Sequence, residues 1–164
     1  MPNTCAISYH ESGDLLDLRI TGRGTMNPCP GLRRFIEQEL KRGVRRLSVD
    51  LHECTYMDST FVGTLLALLH KIDAERGTFE LVAPSDECRR VLRQMGLEEV
   101  IPIVTPESRE ANQWTPLPQE KFDRTGFDLN VLQAHRELAS LPGAVGEQFR
   151  GLIPELEAEV AARR

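Results

Sequence analysis

Residues 56–65 read Tyr-Met-Asp-Ser-Thr-Phe-Val-Gly-Thr-Leu and follow the apolar run 47–51. An apolar run that leads into Asp-Ser and then into a long apolar segment predicts a strand followed by the start of a helix. The first helical turn has free N–H groups and the positive end of the helix dipole, and both favour a negative charge. The sequence therefore places the hydroxyl of Ser59, beside the carboxylate of Asp58, at a position suited to receive an anion.

Helical and strand patterns alternate on both sides of this stretch. Three amphipathic runs each end at a glycine, which supplies the left-handed conformation just past a helix, and each is followed by a short apolar run. The helical runs are 31–42, 59–76 and 85–95, the glycines are Gly43, Gly77 and Gly96, and the apolar runs are 47–51, 79–83 and 100–104. Before them, runs 4–9 and 15–21 flank Ser12-Gly13-Asp14, which predicts a β-hairpin. The alternation predicts an α/β protein with a mainly parallel sheet.

Length and charge limit the possible functions. The chain has 164 residues and a net charge of -5, which suits one domain with a sizeable core plus an appendage. The acidic balance provides no basic patch for phosphates, so direct binding to nucleic acid is not expected. The N-terminus lacks a signal-peptide pattern, and no apolar run approaches the length of a membrane span. We therefore expect a soluble, cytoplasmic protein.

The cysteines and histidines show no spacing typical of a metal site. The cysteines contain no C-x-x-C pair, and no histidine stands at ligand spacing from a cysteine or a carboxylate. These residues are Cys5, Cys29, Cys54, Cys88, His10, His52, His70 and His135. We expect free thiols, no metal site and no cofactor.

The character of the chain changes after Thr105, where prolines and a polar stretch around Trp114 indicate a linker. This change divides the chain into a domain at 1–105, a linker at 106–126 and a helical C-terminal extension at 127–164.

The extension is predicted to contain two helices, at 130–141 and 147–163, separated by Pro142-Gly143. The second carries an apolar stripe at helical spacing, and Pro154 is an alternative start for it. The stripe consists of Phe149, Leu152, Ile153, Leu156 and Val160. Because an isolated helix this short is marginal in water, we expect the stripe to be buried against the domain, a partner or a second copy in a homodimer.

Residues 46–104 resemble the core of a STAS domain, the family of sulphate transporters and anti-sigma factor antagonists. In that family a strand leads into Asp-Ser-(Ser/Thr)-Gly-(Leu/Val)-Gly, which opens a helix, and residues 58–63 here read Asp-Ser-Thr-Phe-Val-Gly. Further matches are the helix-ending Arg76-Gly77, the strand at 79–83, the loop Pro84-Ser85 and the later Met95-Gly96-Leu97. The match covers roughly residues 4–104, with Phe61 in place of the usual glycine. The resemblance implies a mixed, mainly parallel sheet with helices packed on one face.

The resemblance implies a regulatory protein and not an enzyme. Regulatory members of the family carry their phosphate acceptor at the serine that matches Ser59, and Thr60 is the less favoured acceptor here. The implied function is that of an anti-sigma factor antagonist acting by partner switching. Its partners would be a serine-kinase anti-sigma factor, which is a histidine-kinase-like ATPase, and a protein phosphatase. Asp58, Thr60, Phe61 and Val62 would form the partner surface, with the Phe61 ring exposed there and narrowing specificity to one kinase.

Three other interpretations stand beside this one. Asp58 and Ser59 are both good N-cap residues, and capping alone is the commoner role for such a pair. A STAS chain can also be a scaffold or accessory subunit without phosphorylation, for example in a bacterial lipid-transport complex. A serine at a strand-to-helix turn also resembles a hydrolase nucleophile, but Met57 and Phe61 occupy the glycine positions of G-x-S-x-G.

Overall fold

The computed structural model describes residues 4–106 and 113–163. The strands in these ranges are β1 (Cys5–Ser12), β2 (Leu15–Gly24), β3 (Arg46–Asp50), β4 (Cys54–Met57), β5 (Thr78–Val82), β6 (Ile103–Val104) and β7 (Thr115–Pro116). The helices are α1 (Cys29–Lys41), α2 (Ser59–Ala74), α3 (Asp86–Gln94), α4 (Arg124–Ala139), α5 (Gly143–Arg150) and α6 (Ile153–Ala162).

The described strands form one mixed sheet in the order β6-β5-β3-β2-β1-β7, and β4 pairs with the end of β2. β1 and β2 form the predicted antiparallel hairpin, with Ser12 opposite Leu15. Gly13 lies in the turn at φ 62°, a left-handed conformation that glycine adopts without steric cost. Strands β2, β3, β5 and β6 pair in parallel, as do β2 and β4. The predicted α/β class with a mainly parallel sheet is therefore confirmed.

The side chains of β2 separate the two faces of the sheet, because successive residues of a strand point to opposite faces. Leu16, Leu18 and Ile20 are fully buried in the cluster that the sheet forms with α1 and α2. Arg19 points to the opposite face, where its guanidinium lies 4.3 Å from the centre of the Trp114 ring. The core thus lies between the sheet and the helices packed on one face, as predicted.

Helix α2 is buried on more than one side. Every residue of 60–69 except Ala67 is buried. The sheet covers one side of the helix, and α4 crosses the outer side. At the crossing, a Cβ added to Gly63 would lie 2.3 Å from the carbonyl oxygen of Ala134. Only glycine lets the two helices approach this closely.

The C-terminal extension forms three helices where two are predicted. α4 begins at Arg124, before the predicted residue 130, because the Asp123 side chain caps it and accepts from the Gly126 N–H at 2.8 Å. The prediction of one helix over 147–163 is wrong, since the chain breaks between α5 and α6. Pro154 lies in the first turn of α6, which is the alternative start.

This break divides the apolar stripe of the extension. Phe149 and Val160 are buried, whereas Leu152 is 41% exposed, and Ile153 and Leu156 are partly exposed. The chain itself therefore buries only part of the stripe, and Leu152 is its only exposed member. Burial of the stripe against a partner or a second copy stays a prediction.

Within residues 4–106 and 113–163, all four cysteines are free, and Cys29, Cys54 and Cys88 are buried. No helix in these ranges combines the length and apolar composition that a membrane crossing requires. The same ranges contain no group of His, Cys, Asp and Glu side chains arranged to hold a metal ion.

Candidate functional site

The candidate site lies where β4 ends and α2 begins. Asp58 is the N-cap of α2 and has extended backbone geometry. Its Oδ1 accepts from the Phe61 N–H at 2.8 Å, and its Oδ2 accepts from the Met26 N–H at 3.0 Å. The Asp58 N–H in turn donates to the carbonyl of Gly24 at 2.9 Å. One carboxylate thus fixes the helix start and joins it to the loop between β2 and α1.

We expect Asp58→Ala to lower the free energy of unfolding by about 0.5–2 kcal/mol, the usual cost of losing an N-cap side chain. Chemical denaturation followed by circular dichroism measures this loss. Asp123→Ala is the matched control, since the Asp123 side chain caps α4 through one hydrogen bond where Asp58 makes two. It should therefore cost less. If Asp58→Ala is as stable as the wild type, the cap contributes nothing to the fold.

Ser59 is the first residue of α2 and is half-buried. Its Oγ lies 3.2 Å from Nε2 of His135 on α4. The other ring nitrogen, Nδ1, lies 2.7 Å from the backbone carbonyl of Val131. A carbonyl only accepts, so Nδ1 carries a proton. In the neutral form of the ring, Nε2 then accepts from the Ser59 hydroxyl.

A serine hydrogen-bonded to a histidine that a third group orients is an arrangement used in nucleophilic catalysis. Here the orienting group is a backbone carbonyl and not a carboxylate. His135 is only 8% exposed. Neither residue lines the cavities at the sheet face, beside the 117–127 segment or between α1 and α2. A hydrolase also needs a cleft that holds substrate against its nucleophile.

The predicted partner surface is only partly at the surface. Thr60 and Val62 are buried, and the Phe61 ring is 0% exposed. The expectation that Phe61 faces a partner is wrong, because about 200° of helical rotation turns it away from Ser59 and toward the core. The ring packs on Gly24, where an added Cβ would lie 2.9 Å from its Cδ1.

Two exposed apolar side chains surround the helix start. Met26 and Tyr56 are each 39% exposed, and the Arg23 guanidinium lies 4.3 Å from the centre of the Tyr56 ring. The Asp58 carboxylate links Met26 to the site through the backbone hydrogen bond described above. Tyr56 is the first residue of the 56–65 stretch, but the sequence did not identify it as a site residue. Its exposure near the end of β4 is what distinguishes it from a core residue.

Helix α3 starts beside the same junction. Ser85 caps α3 by accepting from the Cys88 N–H, and its hydroxyl donates to the Cys54 carbonyl at 2.5 Å. A hydrogen bond from the Cys88 thiol lowers the pKa of the Cys54 thiol, and the same bond together with burial raises the pKa of Cys88. Both side chains are fully buried, so neither thiol offers an accessible nucleophile.

Comparison with known families and structures agrees with this geometry. The family model described as "Mlab, STAS domain" matches residues 7–105, which is more than half of the chain. The chain therefore belongs to the STAS domain family.

Solved structures share the fold at low sequence identity. The anti-sigma factor antagonist SpoIIAA in its unphosphorylated form is 21% identical, with a TM-score of 0.58 over 65% of this chain and 93% of that one. The Bacillus cell fate determinant SpoIIAA in the phosphorylated form is 21% identical, with a TM-score of 0.55 over 65% and 96%. An anti-sigma factor antagonist from Mycobacterium paratuberculosis is 22% identical, with a TM-score of 0.56 over 68% and 94%.

Proposed function

We propose that the chain is an anti-sigma factor antagonist that acts by partner switching through Ser59. The observation that supports this most is the position of the Ser59 hydroxyl, which is the only side-chain hydroxyl at the start of α2 that is not buried. The chain also shares its fold with an antagonist whose structure is known in unphosphorylated and phosphorylated forms. Thr60 is the second candidate acceptor, and its burial makes it the poorer one.

In the proposed cycle, the unphosphorylated chain binds a serine-kinase anti-sigma factor of the histidine-kinase-like ATPase class and so frees a sigma factor. The kinase then phosphorylates Ser59, and a protein phosphatase removes the phosphate. Such a cycle takes place in the cytoplasm. Asp58 and Ser59 lie at the centre of the proposed partner surface, with Met26 and Tyr56 as its exposed apolar anchors.

The electrostatics of the helix start explain how one phosphate could switch binding. A phosphate adds about -1.5 to -2 charges, which the α2 N-terminus stabilises within the folded chain. Beside the Asp58 carboxylate, however, the same charge must be desolvated when a partner closes over it. Binding is then lost while the fold is kept.

Capture from an extract of the native host tests the proposal. The immobilised wild-type chain should retain an ATPase of the histidine-kinase-like class. Addition of Mg-ATP to the captured complex should place one phosphate on the chain, which mass spectrometry assigns to Ser59.

A second candidate function is a scaffold or accessory subunit without phosphorylation. The specific observation in its favour is that the Ser59 hydroxyl is already bonded to His135. If the immobilised chain retains subunits of a transport complex, and no phosphate is found on Ser59 or Thr60, the scaffold function is supported in place of the first. Labelling of Ser59 by a fluorophosphonate would instead indicate a serine hydrolase.

A further inference from the structure

Helix α4 lies across the outer side of α2 and touches the Ser59 site. His135 Nε2 lies 3.2 Å from the Ser59 Oγ, and one turn further along α2 the backbone of Ala134 lies against Gly63. Two other polar contacts join α4 to its neighbours, Arg33 to Gln133 at 2.6 Å and His70 to Glu137 at 2.6 Å. α4 thus covers the outer side of α2 along much of its length.

With α4 in this place, Ser59 is half-buried and its hydroxyl contacts His135, so α4 restricts the access of a kinase to it. Phosphoryl transfer requires the attacking oxygen to lie in line with the bond from the γ-phosphate to its leaving group. The Ser59 hydroxyl points instead to His135, and the α4 backbone fills the space beside Gly63. Helix α4 likewise blocks any protein partner that binds the outer side of α2.

Buried polar groups without partners lie on α4 and on helix α1, which α4 contacts through Gln133 and Arg33. The Asn130 side chain is 4% exposed, and neither its oxygen nor its nitrogen has a hydrogen-bond partner. The Nε and Nη2 atoms of Arg33 are also buried without partners, and burial lowers the pKa of this guanidinium. The Arg33 atoms lie beside the contact with Gln133, so they form hydrogen bonds to water when α4 leaves. These hydrogen bonds offset part of the free energy needed to expose the apolar side chains that the extension places in the core, which are Leu138, Ala139, Leu141 and Phe149.

Ion pairs and a hydrogen bond within the extension hold its three helices together. Arg136 pairs with Glu157 at 3.0 Å, Arg163 pairs with Asp128 at 2.7 Å, and the Arg150 guanidinium donates to the Ala139 carbonyl at 2.8 Å. All three helices also lie outside the residues 7–105 that match the family. These contacts join α5 and α6 to α4 and involve no residue of 7–105.

We infer that helices α4–α6 form a displaceable cover over the Ser59 site and compete with protein partners for the outer side of α2. The docked cover keeps the Ser59 hydroxyl bonded to His135, and its release exposes that hydroxyl together with Gly63. The identity of the competing partner, a serine kinase, rests on the proposed function. The cover itself does not depend on the proposed function.

Hydrogen exchange on the full, unsubstituted chain tests whether the cover opens. We expect the amides of α4 to exchange together and at least about tenfold faster than those of β2 and β3, because local opening needs less free energy than global unfolding. Exchange of α4 at the rate of the core strands would overturn the inference, since the helix would then be an inseparable part of the domain.

Thiol labelling tests whether the cover protects position 59. Ser59→Cys reports access to the reagent DTNB, in a Cys5→Ser background that removes the one partly exposed native thiol. Ala134→Leu has no room for its side chain beside Gly63, so it should raise the labelling rate at least about tenfold. Ala158→Leu is the matched control, because it puts the same side chain on an exposed position of α6 and should leave the rate unchanged.

An unchanged labelling rate in Ala134→Leu, with faster exchange of α4, would overturn the inference because opening would not expose position 59. If Ala134→Leu unfolds the whole chain, Ser59→Cys with an otherwise unsubstituted extension provides the test. Relative to the unfolded chain, its labelling must be slowed by the same factor as the exchange of the α4 amides. Labelling at the rate of the unfolded chain contradicts the cover. None of these measurements involves a kinase. Absence of phosphate on Ser59 would therefore reject the proposed function without touching the cover.

Discussion

Phe61→Ala should lower the free energy of unfolding by about 3–5 kcal/mol, the range for truncating a fully buried aromatic side chain. The Phe61 ring is 0% exposed and lies within the main core cluster. Its loss removes apolar surface from the core and leaves a cavity between α2 and the sheet. Chemical denaturation of the variant and the wild type measures the difference. Tyr56→Ala is the matched control, since this ring is 39% exposed in the same stretch, and it should cost much less.

A double-mutant cycle with Gly24 identifies the cause of this loss. Gly24→Ala in the wild type forces the Phe61 ring to move, because the new Cβ would lie 2.9 Å from its Cδ1. In the Phe61→Ala background that space is empty, so Gly24→Ala should cost less there, with a coupling of about 1 kcal/mol or more. Additive losses would show that the two residues are not in contact. If Phe61→Ala is as stable as the wild type but loses partner binding, the ring belongs to the partner surface and not to the core.

Ser59→Ala and Ser59→Asp should have opposite effects on partner switching. Alanine removes only the bond to His135 and cannot accept phosphate, so it should bind the kinase partner constitutively and free the sigma factor. Aspartate suits the helix dipole but adds charge to the interface beside Asp58. We expect it to weaken partner binding at least about thirtyfold, since unfavourable charge placement across an interface costs several kcal/mol. Calorimetry with the captured partner and a sigma-dependent reporter measure the two effects.

The control for added charge is Ser12→Asp. Ser12 is exposed and lies at the β1–β2 turn, at the opposite end of β2 from its pairing with β4. It should bind the partner as the wild type does. Equal binding by the wild type, Ser59→Ala and Ser59→Asp would contradict a switch at Ser59.

The sheet and the start of α2 could be predicted because local patterns determine them. The hairpin at Gly13, the alternating strands and the Asp58 cap each depend on residues close together in sequence. The direction of Phe61 could not be read in the same way. A departure from a family motif does not say whether the new side chain points outward or inward, and the space that Gly24 leaves for the ring exists only in the folded sheet.

The cover over Ser59 depends on contacts between distant parts of the chain. Ser59 and His135 are 76 residues apart, and no local pattern pairs them. The sequence of α2 nevertheless contains a signal for the cover. The residues on its outer side are as apolar or as small as those on its inner side, and Gly63 lies within the helix. A helix that is apolar on every side is typically buried on every side. In the extension, the apolar spacing continues across Pro154 and favours one helix, whereas Pro154 favours a new helix start. The structure follows the proline, which lies in the first turn of α6.

The affinity of the captured kinase partner for the chain with authentic phosphoserine at position 59 tests the central claim most directly. The comparison is with the unmodified chain under the same conditions, and circular dichroism verifies that both forms are folded. We expect the phosphorylated chain to bind at least about thirtyfold more weakly, because its dianion must be desolvated beside Asp58 in the interface. Equal affinity of the two forms would contradict switching through Ser59 and leave the scaffold function in its place.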